Sequence, residues 1–144
     1  MQLSEHFTLE ELIRSEVAER KGLDNTPNAS EIANLVRLAG LLEEVRTLLN
    51  KPILLNSGFR SKAVNDSVGS KDTSQHRIGC AADIRVPGMT PKEVVEACIK
   101  ANIGYDQIIE EFGSWTHISV PNTDSTAPRR QALIIDRQGT RPFK

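Results

Sequence analysis

Residues 107–120 read Gln-Ile-Ile-Glu-Glu-Phe-Gly-Ser-Trp-Thr-His-Ile-Ser-Val. Two short runs rich in β-branched and aromatic side chains, Gln107–Phe112 and Trp115–Val120, flank Gly113-Ser114. That pattern predicts a β-hairpin closed by a two-residue turn. Downstream, the loop Pro121–Pro128 leads to one more strand, Gln131–Asp136, and then a tail containing Gly and Pro. Upstream, Ala81–Val86 reads as a strand, and Ile53–Leu55 as a short one behind Pro52. Thr90-Pro91-Lys92-Glu93 is a capping box with Pro at the first helical position, and it opens a helix to about Asn102 that buries Val94, Val95, Cys98 and Ile99.

The N-terminal half is helical. Thr8 with Glu11 three residues on is a second capping box, and Leu9, Leu12, Ile13 and Val17 form one face of a helix ending before Gly22. Asp24–Ser30 is turn chemistry. Ser30 is expected to cap a long helix with Ile32, Leu35, Val36, Leu38, Leu42, Val45 and Leu49 at helical spacing. Ser61–Ser74 reads as a loop with at most one short helix. Helices first, then hairpin strands around one helix, is an α+β pattern: a single domain over residues 1–144, with N-terminal helices on a small, mostly antiparallel sheet.

Composition narrows the function classes. Eighteen Lys and Arg against 19 Asp and Glu give a net charge of -1, which argues against a broad basic face for nucleic acid and against a polybasic membrane anchor. No apolar run approaches the ~20 residues a membrane span needs. The start, MQLSEHFTLEE, is polar and acidic, so the chain is expected to be made in the cytoplasm without a signal peptide. Two cysteines, Cys80 and Cys98, are too few for a disulfide framework and are expected to be small buried residues. Nothing in the chain resembles a coiled coil, and a monomer is expected.

Three histidines are few, so two in one site would carry meaning. His76 and Asp83 stand seven positions apart around Gly79, Ala81 and Ala82, a spacing that lets a loop His and a strand Asp reach one ion once the chain doubles back at the glycine. His117 lies in the middle of an apolar strand, where an imidazole needs a partner. Glu110 and Glu111 precede the hairpin turn, where a carboxylate near a metal-bound water would serve as general base. Arg60, at the end of Asn56-Ser57-Gly58-Phe59-Arg60, suits a substrate carboxylate or carbonyl. Each motif alone has an ordinary structural explanation. Together two His and one Asp make three ligands with a fourth position open, the arrangement of catalytic zinc.

The ordered series S-G-F-R-S, then S-Q-H-x-x-G-x-A-x-D, then E-F-G-x-W-x-H-I-S resembles the zinc D-alanyl-D-alanine carboxypeptidases, and most closely their small phage and prophage branch. The opening S-E-H-F-T-L-E-E-L followed by R-K-G-L-D-N resembles the same branch, so the likeness extends to about Val120. The resemblance implies a hedgehog-like α+β fold and a zinc ion held by His76, Asp83 and His117. It also implies Glu111 as catalytic carboxylate, Arg60 as a group stabilising the carbonyl or binding substrate, and Ser74 as a substrate contact. The implied substrate is the D-amino-acid end or cross-link of the peptidoglycan stem peptide, reached by a lysis enzyme after holin-type release. In much of the wider family an acid stands three positions before the last histidine, and here that residue is Ser114. A strict two-residue turn at Gly113-Ser114 would pair Glu110 with His117, and a bulge would favour Glu111. The alignment favours Glu111, with Glu110 as its rival. An L-alanyl–D-glutamate endopeptidase and a non-catalytic zinc-containing wall-binding module are the competing readings.

Overall fold

The first turn of a helix leaves backbone N–H groups without partners, and each α-helix of this chain begins behind a side chain that accepts one. The computed structural model describes residues 1–144. Thr8 caps α1 (Leu9–Ile13) in the expected capping box with Glu11. The single helix expected to run on to Gly22 is instead two. Arg14 leaves helical geometry, and the Ser15 hydroxyl accepts from the Ala18 N–H to start α2 (Glu16–Lys21), which Gly22 closes in the left-handed region at φ 66°. A serine that can cap competes with helix continuation, and the break makes Ala18 rather than Val17 the buried residue.

The long helix α3 (Ala29–Leu49) is capped by Asn28, not Ser30. Asn28 has Glu31 at the third helical position, so each satisfies the other's N–H at 2.8 Å, whereas Ser30 has only Ala33 at that spacing. It buries Leu35, Leu38, Ala39, Leu41, Leu42 and Val45 and leaves Val36 46% exposed. The strand expected at Ile53–Leu55 lies slightly later, as β1 (Leu54–Ser57), with Ile53 buried just before it. One short helix, α4 (Lys62–Ser67), interrupts the following loop, and a 3-10 turn, Gln75–Ile78, precedes β2 (Ala81–Arg85). Thr90 and Glu93 cap α5 (Pro91–Lys100) as expected, although Ile99 is 42% exposed.

The remaining chain is β3 (Gln107–Glu111), β4 (Trp115–Ser119), β5 (Gln131–Asp136) and β6 (Gly139–Pro142). Where the tail was expected, β6 pairs back on β5 through a turn with Gly139 at φ 100°. The sheet order is β1-β2-β4-β3-β5-β6, and every neighbour is antiparallel except β3 and β5. The fold is therefore α+β with a mostly antiparallel sheet.

Register fixes which side of the sheet each residue serves, because side chains alternate. Ala82, Ile118 and Ile108 lie opposite one another, and with Ile84 they pack into the core that also holds Leu35, Leu38, Leu42, Val94 and Val95. The alternate residues, Asp83, His117, Ile109, Glu111, Leu133 and Ile135, share the other face. Both cysteines are buried, and burial pushes the Cys98 thiol up to about 12. No helix is long and apolar enough to cross a membrane.

Candidate metal centre

His76 is placed by backbone geometry on both of its sides. Ser74 caps the 3-10 turn, accepting from the His76 N–H at 3.3 Å. Gly79 then reverses the chain at φ 83°, where an added Cβ would lie 2.8 Å from the Glu31 carbonyl oxygen. No L side chain fits that position comfortably. The Arg60 N–H donates to the His76 carbonyl at 2.9 Å, and the Phe59 N–H donates to the Leu12 carbonyl at 2.8 Å. An added Cβ at Gly58 would stand 2.3 Å from that same Leu12 oxygen, so the corner Gly58–Arg60 docks on α1 only because residue 58 is glycine.

The His76 Nδ1 lies 2.8 Å from the Gly58 carbonyl oxygen. A carbonyl only accepts, so the bonding network assigns the proton to Nδ1 and leaves Nε2 with a free lone pair. That Nε2 faces the Asp83 Oδ1 at 3.2 Å. Asp83 in β2 sits directly opposite His117 in β4, whose Nδ1 lies 3.1 Å from the same oxygen. The three residues are buried (3%, 7% and 8% exposed for His76, Asp83 and His117), and the atoms they could offer a metal lie within 4.8 Å of one another. With Nδ1 donating to Gly58, the His76 Nε2 is free to give its lone pair to a cation shared with Asp83, or, in the metal-free protein, to carry a proton that it donates to Asp83. Two imidazoles and one carboxylate are a donor set that zinc accepts. The residues present therefore fit a zinc ion.

The hairpin decides which glutamate joins this group. The expected two-residue turn is a three-residue connection, with Phe112 and Gly113 both in the left-handed region (φ 54° and 61°). Ile109 thus lies opposite His117, and Glu111 lies opposite Trp115. Glu111 comes onto the same face as His117, its Oε1 3.9 Å from the His117 Nδ1. Glu110 pairs with Thr116 and points its side chain to the core side of the sheet.

Arg60, largely buried, reaches the Asp83 Oδ2 at 3.5 Å through Nη2 and donates from Nε to the Ser57 Oγ at 3.3 Å. The Ser74 hydroxyl meets the cluster only at the His76 backbone N–H and touches none of its three side chains; it lines a cleft of about 840 Å³ that opens onto His117.

The charges of the group act on one another. Burial raises the Asp83 carboxyl, but the two imidazoles outweigh burial and hold it well below the usual aspartate range. Burial and the neighbouring Asp83 charge push the Glu111 carboxyl above the ordinary glutamate value, against the opposing pull of His117 and Arg60. A carboxylate tuned upward is better matched to moving protons near neutrality. Burial lowers the Arg60 guanidinium, with Asp83 and Glu111 opposing.

Three contributors had no assigned role in the sequence reading. Trp115 lies opposite Glu111 with a buried indole Nε1 that meets no partner at full hydrogen-bond geometry, yet stands close enough to Glu111 to favour its ionised form. Gln75 and Asp106 join the wall of the cleft, linked Nε2 to Oδ2 at 3.0 Å. Adjacency to His76 was the one local signal for Gln75. Asp106 had none, since its partners come from distant segments.

An α+β domain whose open sheet face carries a buried His–Asp–His group, with a carboxylate and an arginine beside it, defines a metal-dependent hydrolase class. A family model described as Peptidase M15 matches residues 5–119, and the chain belongs to that family. M15 peptidases are zinc-dependent and act on peptidoglycan peptides, and the buried His76–Asp83–His117 group is one that could hold the metal. The matched span contains Arg60, Ser74, His76, Asp83, Glu111 and His117; β5 and β6 lie beyond it. Among curated proteins no significant match is found.

Proposed function

We propose that this zinc peptidase hydrolyses D-Ala-D-Ala, or a D-Ala-containing cross-link, in the peptidoglycan stem peptide. His76, Asp83 and His117 are its metal ligands in this reading. It works as a monomeric wall-lysis or wall-remodelling enzyme of phage or prophage type, reaching the wall after holin-type release. The observation that carries the catalytic reading is Glu111: a half-buried carboxylate 3.9 Å from His117, on the face of the sheet that bears the cluster. A module that only binds wall peptide has no use for a raised-pKa carboxylate there.

A bound zinc would supply Lewis acidity at the scissile carbonyl and lower the pKa of water at the site. Glu111 accepts the proton of the attacking water and returns it to the leaving amine nitrogen. Arg60, already tied to Asp83 and Ser57, presents a fixed guanidinium to the oxygen that gains charge, or to the terminal carboxylate of the substrate. Ser74 lines the cleft that admits the peptide.

Mass spectrometry of purified muropeptides after digestion tests the reading. Loss of terminal D-Ala, or splitting of D-Ala-linked dimers, supports it. Release of the stem beyond its first residue would assign the L-alanyl–D-glutamate bond instead, and unchanged material would leave a binding module.

A further inference from the structure

The segment beyond the family match builds a wall of the cleft. Leu133 and Ile135 of β5 continue the apolar floor begun by Ile109, and Arg129, just before β5, stands at the wall. Arg129 is unusual for a half-exposed arginine because it is held on three atoms. Its backbone N–H donates to the Asp106 Oδ1 at 3.0 Å, and its Nε and Nη2 donate to Oδ2 at 3.0 and 2.7 Å. Asp106 is itself buried, 3% exposed, and takes a further bond from Gln75, whose Nε2 also reaches the Val120 carbonyl and the Asn122 side chain. The network ties the loop 121–130 to the turn that carries His76. It leaves Nη1 of Arg129 with no protein acceptor. The cleft also contains Lys71, and its single carboxylate, Asp106, is engaged by Arg129, so the lining is cationic in a chain of net charge -1.

A guanidinium fixed in advance loses little freedom when it binds, and its planar donors match a carboxylate. We propose that Arg129, positioned by Asp106 and Gln75, recognises a second carboxylate of the peptide substrate, one outside the scissile bond and distinct from the terminal carboxyl. The site selects a stem peptide whose D-glutamyl residue keeps its free carboxyl. This rests on the peptidase reading above for the identity of the peptide, while the anion site itself rests on the cleft.

The test is calorimetric binding to zinc-loaded protein in a Glu111→Gln background, so that peptide is not consumed. The probes are a synthetic stem pentapeptide ending in D-Ala-D-Ala with the D-glutamyl carboxyl free, and the same peptide with that carboxyl amidated. Both keep the terminal carboxylate, so the difference isolates the second one. The free acid is expected to bind about tenfold tighter, the scale of one charge-assisted contact. Arg129→Gln should erase the preference. So should the Asp106→Asn/Arg129→Gln pair, which leaves no buried charge unpaired if the single variant folds poorly. Equal binding of the two peptides, no binding of either, or a preference that survives both variants would overturn the proposal; the last result would make the network a structural staple only. If the preference holds while the Glu111 enzyme cleaves neither peptide, the anion site stands and the hydrolytic reading falls.

Discussion

At residue 111 the fold places a carboxylate where burial and Asp83 both disfavour its charge. Because its folded-state pKa is raised, the ionised Glu111 weakens the metal-free fold at neutral pH. That penalty is present above the folded pKa and disappears as pH falls below the ordinary glutamate value of ~4.3. Glu111→Gln should therefore raise the urea midpoint of the metal-free protein at pH 7, and the gain should vanish near pH 4. The same variant should retain zinc and lose turnover by roughly 10²–10⁴-fold, the usual contribution of a general base. Glu110→Gln should leave turnover near wild type, since Glu110 projects from the opposite side of the sheet. The His76–Asp83–His117 group was legible because His76 and Asp83 are close in sequence and His117 is a polar residue in an apolar strand. Which glutamate accompanies them was legible only from resemblance. One extra turn residue reverses the face, and a glycine-serine pair does not reveal that the preceding Phe112 also adopts positive φ.

At the scale of elements, the corner Gly58–Arg60 links α1 to the cluster. Gly58→Ala places a methyl group against the Leu12 carbonyl and disturbs the carbonyl that orients His76. A loss of about 1–3 kcal/mol is expected, as for other overpacked sites, with weakened zinc binding in a titration. Gly40→Ala is the control, because its added Cβ meets nothing within 4 Å inside α3. It should stabilise by up to about 1 kcal/mol through helix propensity, and thermal melts of the two variants should move in opposite directions. Most elements could be read from caps and periodicity. The misreadings have local causes: Ser15 offers a second cap inside an apolar helical pattern, Asn28 outcompetes Ser30 through Glu31, and β6 is four residues long and ends in Pro142 at the sheet edge. A short strand containing proline carries almost no pattern of its own.

For the whole molecule, the sheet has two distinct faces: one makes the core with α3 and α5, and the other carries the His–Asp–His group and the cleft. Asp106 links the two halves of that open face, and nothing in the sequence announces it, because Arg129 and Gln75 reach it from segments 23 and 31 residues away. Burial raises the Asp106 carboxyl, but its bonds to Arg129 and Gln75 prevail and hold it below the usual value. Its contribution to stability is therefore present above the unfolded-state value of ~3.9 and lost as pH falls through the lower folded pKa. Urea unfolding across the acid range should show wild type losing stability more steeply than Asp106→Asn, and parallel curves would contradict the assignment. Whether one zinc ion sits on His76, Asp83 and His117 is tested most directly by metal analysis of protein purified without chelators. About one zinc per chain is expected in wild type and in Glu111→Gln, as a single site requires, with none in His76→Ala or Asp83→Ala. A metal-free wild type of equal stability, or zinc retained by Asp83→Ala, would contradict it.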